Sequence, residues 1–173
     1  MADSRQHARH GPPQTGPMTT FRVAAIPQDT LDLIRATRRD EAGNAPRERI
    51  DEDGGSPLRC CLRDAEPGER MLLIAYTPPG VVGPYAERGP VFIHAEPCAG
   101  YQDEHSYPKA LGHRTQIVRG YDHEGNMATA TIVADGEAAE QELNTILSQP
   151  EIRVAHVRNV AAGCYNFAVW PAP

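Results

Sequence analysis

The chain has 173 residues, and 17 Lys and Arg residues against 23 Asp and Glu residues leave a formal net charge of −6. This acidic balance, with no dense run of basic residues, argues against nonspecific binding to nucleic acid or to an anionic membrane. No apolar run approaches the ~20 residues of a membrane-spanning helix, and no signal peptide opens the chain, so we expect a cytoplasmic protein.

The first residues differ in composition from the rest of the chain. Residues 1–19 are rich in Pro, Gly, His and Gln and contain almost nothing to bury. Such a composition predicts a disordered N-terminal tail. The remaining length suits a single domain, which we place at residues 20–173.

The first elements of this domain are a strand and a helix. Apolar residues predict a short strand at residues 21–25, and Asp29 or Thr30 is suited to cap a helix that ends near Gly43. Residues 43–57 are rich in Gly, Asp, Glu and Arg, which favours an exposed, mobile connector.

Beyond this connector, short apolar runs alternate with turns that contain Gly, Pro and Asp. This pattern is typical of an antiparallel sheet. A second helix is predicted at residues 138–148, where apolar residues form one stripe and Pro150 ends the segment. We therefore predict an α+β fold, with two helices and a mainly antiparallel sheet of about seven strands. The predicted strands are residues 58–62, 71–76, 91–95, 115–121, 127–133, 152–160 and 165–170.

Four stretches of the sequence carry a resemblance to a known family. They read, in order, RCCLRDAEPGERMLLIAY, GPYAERGPVFIHAEPCAGY, RGYDHEGNM and AHVRNVAAGCYNFAV. Together they resemble the bacterial family known as domain of unknown function 1203, and the likeness runs from Phe21 to Trp170. The resemblance implies no activity and no catalytic residue.

The last two predicted strands form a hairpin whose register can be proposed. If residues 161–163 are a three-residue loop, Gly163 takes the left-handed conformation that such loops favour. His156 then pairs with Ala168, and Arg158 pairs with Asn166. In this register the apolar residues share the core face, and His156, Arg158 and Asn166 project from the opposite face.

This polar face predicts a binding site for a small anionic ligand. Guanidinium and imidazole groups suit a carboxylate or a phosphate. The long loop at residues 96–113 is expected to form the other wall of a cleft, since loops of this length are often functional. The candidate ligand-binding residues are His94, Tyr101, Arg119, His156, Arg158 and Asn166. The alternative is a solvated sheet face in a protein-interaction module without a small-molecule site.

Arg158 is the residue that this hypothesis depends on most. The facing positions of the next strand supply no carboxylate, so we expect its guanidinium to lack an anionic partner within the chain unless a loop brings an Asp or Glu residue to it. On that basis Arg158→Ala is expected to change folding stability by no more than about 1 kcal/mol and to abolish binding of the anion.

A zinc site is the competing interpretation for the cysteines and histidines. His94 and Cys98 have a suitable spacing, and either His156 or Cys164 remains open as a further ligand. His156 and Cys164 cannot both contribute, because the register separates them by roughly 13 Å. We expect no metal, no cofactor and no disulfide.

Two further arguments limit the chemistry of the chain. Cys60 and Cys61 are adjacent, so on a strand they would point to opposite faces and could not ligate one ion together. The sequence contains no GxSxG, P-loop or GxGxxG motif. Cys98 or Cys164 stays open as a nucleophile, and neither enzymatic activity nor the oligomeric state follows from the sequence.

Overall fold

A computed structural model describes residues 21–172, so the predicted tail at residues 1–19 lies outside the described part of the chain. Within residues 21–172 the fold is α+β, with two α-helices and ten strands in two five-stranded sheets. In chain order the helices and strands are β1 (Phe21–Ala24), α1 (Gln28–Thr37), β2 (Arg47–Asp51), β3 (Pro57–Leu58), β4 (Arg63–Asp64), β5 (Glu69–Tyr76), β6 (Gly89–His94), β7 (Gln116–Asp122), β8 (Met127–Val133), α2 (Gly136–Leu147), β9 (Ile152–Asn159) and β10 (Tyr165–Pro171).

The two sheets differ in the direction of their strands. Sheet A has the order β1-β10-β9-β7-β8, and its neighbouring strands pair antiparallel. Sheet B has the order β2-β5-β6-β3-β4 and is mixed, because β3 runs parallel to β6. The α+β class and the two helices are therefore confirmed, whereas the prediction of about seven strands in one sheet is too low.

The predicted elements differ from the structure in the connector and in the first predicted strand after it, for different physical reasons. Strand β2 lies inside the segment predicted to be a connector; its sequence RERID is mostly exposed and pairs with β5 at the edge of sheet B, so it carries no apolar signature. The predicted strand at residues 58–62 ends at Leu58. A turn follows, and Leu62 adopts the left-handed conformation with φ 56°.

Sheet A is covered on both faces. Ala155 and Val157 of β9 pack into a core with α2, whereas Val154 of the same strand packs into a second core with α1 and sheet B. Successive residues of a strand point to opposite faces, so His156 lies on the face that is directed towards sheet B. The face predicted to be outside the core is therefore a second buried layer.

The helix ends follow local chemistry. Asp135 precedes α2, and its carboxylate accepts a hydrogen bond from the Ala138 amide at 2.9 Å, as an N-cap residue does. Helix α1 begins at Gln28 without a side-chain cap, so the predicted caps Asp29 and Thr30 lie inside it. It ends at Thr37, before the predicted end near Gly43, because Arg38 is left-handed with φ 53°. Neither helix of the described residues is long and apolar enough to cross a membrane.

The C-terminal hairpin confirms part of the predicted register. Gly163 is left-handed with φ 66°, and His156 pairs with Ala168 as predicted. Arg158, however, pairs with Tyr165 rather than with Asn166, because the register shifts between Tyr165 and Phe167. The extra residue in β10 was not visible in the alternation of the sequence, since both of its faces are buried.

Candidate metal centre

Sheet B brings together two segments that are far apart in sequence. Strands β3 and β6 are parallel neighbours, with Leu58 opposite Phe92. Because parallel strands end at the same edge of a sheet, the turn at residues 59–62 lies beside His94, the last residue of β6. Cys98 follows four residues later in the loop.

Four side chains meet at this edge, and we call them the thiol cluster: Cys60, Cys61, His94 and Cys98. Their ligand atoms all lie within 4.8 Å of one another. Nδ1 of His94 is 3.2 Å from Sγ of Cys60 and 3.8 Å from Sγ of Cys61. The two adjacent sulfurs are 4.0 Å apart, so both thiols point to the same place.

This geometry corrects the argument that Cys60 and Cys61 cannot ligate one ion. That argument assumed a strand, in which neighbouring side chains diverge. The residues instead form a turn in which the Leu62 amide donates to the carbonyl of Leu58 at 2.9 Å. The residues predicted to complete a zinc site with His94 and Cys98 were His156 or Cys164, and neither belongs to the thiol cluster.

The distances within the thiol cluster suit a single tetrahedral ion. Zn²⁺ binds sulfur at about 2.3 Å and imidazole nitrogen at about 2.0–2.1 Å. For tetrahedral angles these bond lengths require donors about 3.5–3.8 Å apart. The observed separations from His94 to Cys60 and Cys61, and between the two sulfurs, run from 3.2 to 4.0 Å.

A second layer of polar residues holds the imidazole of His94. Oε1 of Glu69 lies 3.2 Å from Nε2 of His94, and the Arg63 guanidinium donates to both carboxylate oxygens of Glu69, at 2.7 and 2.8 Å. When Nδ1 faces a metal, Nε2 carries the proton and donates to the carboxylate. Glu69 therefore fits the carboxylate–histidine–metal arrangement that orients a ligand and raises its basicity.

The close packing of these groups shifts their acidities. Contact with Cys60 raises the pKa of His94 to about 9 and the pKa of Cys98 to about 12. A hydrogen bond with Cys60 lowers the pKa of Cys61, and the Arg63 guanidinium lowers the pKa of Glu69 to about 2. Protons held by the metal-free cluster would be released when a cation replaces them.

The same residues also resemble a nucleophile–base–carboxylate triad, in the order Cys60, His94 and Glu69. A catalytic thiol must reach its substrate, however, and Cys60 is fully buried. A catalytic triad also does not require two further thiols, and the cluster places two of them within 4.8 Å. The geometry therefore favours coordination of a metal over nucleophilic catalysis.

The other predicted site residues are engaged elsewhere. We call Arg119, His156 and Arg158 the polar face of sheet A. Nε2 of His156 lies 2.8 Å from the Pro79 carbonyl oxygen, and both arginines bind the carboxylate of Glu87. The guanidinium of Arg158 thus has an anionic partner within the chain, and this partner comes from a loop and not from the facing strand. Residues 77–88, rather than the loop at residues 96–113, cover this face.

Asn166 and Tyr101 complete the set of predicted site residues. The amides of Asn166 and Asn159 bind each other at 3.1 and 3.2 Å, and the hydroxyl of Tyr101 donates to the Ser106 carbonyl at 2.9 Å. Tyr101 borders a cavity of about 290 Å³ whose other wall is the segment at residues 22–28. Of the six predicted residues, only His94 belongs to the thiol cluster.

The sequence contained one signal that pointed to this cluster. The spacing of His94 and Cys98 was correctly identified as a pair of candidate ligands. The adjacent cysteines were missed because the turn after β3 depends on a left-handed residue, Leu62, which is an uncommon conformation for a branched side chain. Glu69 and Arg63 could not be identified without the pairing of β5 with β6.

The fold and the thiol cluster together define an α+β domain with a candidate Cys3His metal centre. The chain belongs to the family described as protein of unknown function, DUF1203, whose family model matches residues 55–170. This match confirms the resemblance found in the sequence, and the matched segment contains all four residues of the thiol cluster. No curated protein and no solved structure matches the chain.

Proposed function

We propose that this protein is a zinc-binding domain in which the thiol cluster holds one Zn²⁺. The observation that supports the proposal is the convergence of three thiols and one imidazole within 4.8 Å. Thiolate and imidazole are the ligands that zinc prefers in protein sites. The separations between the donor atoms also suit one ion rather than a larger cluster.

The role of the ion would be structural. Four protein ligands fill a tetrahedral sphere and leave no position for substrate, whereas catalytic zinc sites keep one position open. The ligands come from the turn after β3, the end of β6 and the loop that follows it. A bound ion would therefore tie that loop to the edge of sheet B.

The test is the metal content of the purified full-length chain, measured by plasma mass spectrometry. We expect one zinc per chain in the unmodified protein and in Cys164→Ser, because Cys164 lies outside the thiol cluster. Cys98→Ser is expected to lose the metal. A metal-free unmodified protein that also fails to bind added Zn²⁺ would contradict the proposal, as would unchanged zinc in Cys98→Ser.

A second function, binding of a small anionic ligand, is favoured by the cavity beside Tyr101. It measures about 290 Å³ and is bordered by Arg22, Gln28 and Glu104. Arg22 is half-exposed, and its contact with Glu104 is long, at 4.0 Å. We therefore propose that the guanidinium of Arg22 binds the carboxylate or phosphate of the ligand.

A thermal-shift titration with inorganic phosphate and citrate tests this second function. A ligand that binds only the folded state raises the melting temperature. We expect the shift in the unmodified protein and in Arg119→Ala, and its loss in Arg22→Ala. The absence of any shift in the unmodified protein would favour the alternative of a protein-interaction module.

A further inference from the structure

The three sulfurs of the thiol cluster differ in their access to solvent. Cys60 is fully buried, whereas Cys61 and Cys98 are partly exposed. Cys98 lies in the loop after β6, and the other two lie in the turn after β3. The cluster thus combines exposed thiols with a buried neighbour within 4.8 Å, which is the arrangement of a reactive and a resolving cysteine.

We propose that the thiol cluster is an oxidation site, at which a hydroperoxide converts Cys60 and Cys98 to a disulfide and the metal is released. This inference rests on the proposed zinc site. It goes beyond that site in one respect: oxidation of the thiols would control whether the metal stays bound.

The choice of the disulfide follows from backbone geometry. Adjacent residues have Cα atoms about 3.8 Å apart across a trans peptide, which is shorter than the roughly 4.4 Å at which ordinary disulfides begin. A bond between Cys60 and Cys61 is therefore disfavoured. Cys98 comes from a different segment, and its sulfur lies within 4.8 Å of the buried sulfur of Cys60, so this pair needs the smaller rearrangement.

The oxidation is balanced in two steps. Cys98 is partly exposed, and as a ligand of the proposed ion it would be held as the thiolate. This thiolate attacks one oxygen of the hydroperoxide; the O–O bond breaks, and the products are a sulfenic acid and a hydroxide or alkoxide ion. The thiolate of Cys60 then attacks the sulfenic sulfur and expels hydroxide. Two electrons pass from the sulfurs to the peroxide, and solvent protonates the leaving oxygens.

The disulfide removes two of the four donors, so only Cys61 and His94 remain as ligands. Two protein ligands are fewer than the three or four of zinc sites in proteins. The loop after β6 would then be tied to the turn after β3 by a covalent bond instead of by the ion. The oxidised and the metal-bound states thus join the same two segments by different chemistry.

The experiment treats zinc-loaded, full-length protein with hydrogen peroxide and follows metal release with a chromogenic chelator. Trypsin cleaves the peptide bond that follows each Arg and Lys. Cys60 and Cys61 therefore share the peptide 60–63, and Cys98 lies in the peptide 89–109. We expect one zinc released per chain, together with a crosslink between these two peptides. Cys164 lies in the peptide 159–173 and is the internal control that stays free.

Variants identify the partner of Cys98. Cys61→Ser is expected to retain the crosslink, and Cys60→Ser is expected to lose it. A peptide 60–63 that is two hydrogens lighter and not crosslinked would overturn the proposal, because it would show a disulfide between the adjacent cysteines. Zinc retained at peroxide concentrations that oxidise Cys164 would also overturn it.

The zinc content before peroxide is added separates the two proposals. A chain that binds no zinc yet forms the crosslink between Cys60 and Cys98 would refute the zinc-binding function and the release of metal, and would support only the disulfide. A chain that binds zinc but releases none as it is oxidised would support the zinc-binding function and refute the oxidation site.

Discussion

The thiol cluster and the polar face of sheet A both gather titratable side chains around a histidine, but the partners of these side chains differ. On the polar face, His156 binds the Pro79 carbonyl, and Arg119 and Arg158 share Glu87. In the thiol cluster, the sulfurs are directed at one another and at Nδ1 of His94.

The comparison shows how a ligand site differs from a satisfied polar layer. Buried polar groups are costly unless they are paired, and residues 77–88 provide the pairing for the polar face. Thiols are weak hydrogen-bonding groups, so several of them in contact gain little from one another. The proposed zinc ion, by binding the thiolates, would supply the missing stabilisation of the thiol cluster.

Of the changes considered, the removal of zinc is expected to lower the free energy of unfolding most. At a zinc concentration about 1,000-fold above the dissociation constant, binding adds about 4 kcal/mol to the free energy of unfolding. For a chain of this size that corresponds to a melting temperature about 10 °C higher. Calorimetry with zinc and with EDTA measures the difference. Cys98→Ser should show almost no response to EDTA, and an equal response would contradict the assignment of Cys98 as a ligand.

The buried His156 predicts a strong dependence of stability on pH. Burial lowers the pKa of His156 to about 4, below the ordinary value near 6.5. The unfolded state therefore binds more protons between these values, so the stability present above pH 6.5 is lost as pH falls towards 4, by roughly 3 kcal/mol.

Urea unfolding of metal-free protein from pH 7 to pH 4 measures this loss. The raised pKa of His94, about 9, affects stability only as pH rises above about 6.5, so below pH 6.5 it does not contribute to the measured loss. His156→Gln should lack the part of the pH dependence that His156 causes. Parallel pH profiles for the variant and the unmodified protein would show that His156 is not the group responsible.

Arg158→Ala is expected to reduce the free energy of unfolding by about 2 kcal/mol, because it removes charge-assisted hydrogen bonds from a buried position. Nε of Arg158 donates to the Gly163 carbonyl at 2.8 Å, and the side chain also binds Glu87. Arg119→Ala, from a more exposed guanidinium on the same carboxylate, should cost less than 1 kcal/mol.

Chemical unfolding of the two arginine variants decides between the two interpretations of this face. A loss of about 2 kcal/mol identifies Arg158 as a structural ion-pair partner. A change within about 1 kcal/mol would instead support the prediction from the sequence that Arg158 serves an external anion.

Glu69→Gln is expected to weaken zinc binding about tenfold, because outer-shell carboxylates typically contribute 10- to 100-fold to metal affinity. The amide can still accept a hydrogen bond from His94 but carries no charge. Competition with a chelator measures the affinity. Glu48→Gln is the matched control, since Glu48 binds Arg70 on the surface of the same sheet and does not contact His94. Equal affinities in the two variants would exclude a role for Glu69.

The sequence was sufficient for the elements whose side chains alternate or repeat regularly. Helix α2 was predicted within two residues of its ends, since an apolar stripe and Pro150 define it. Strands β7 and β8 were predicted from short apolar runs between turns. The carboxylate of Asp122 accepts hydrogen bonds from the amides of Glu124 and Asn126 in the turn between these two strands.

The sequence also determined the family, the α+β class and one pair of candidate ligands, His94 and Cys98, because these depend on local composition and spacing. Tertiary structure decided which distant groups complete that pair. Parallel pairing of β3 with β6 carries Cys60 and Cys61 to His94, and a left-handed turn directs both sulfurs inward. It also decided that the polar face of sheet A is buried, since a strand covered on both sides shows no alternation that separates core from solvent.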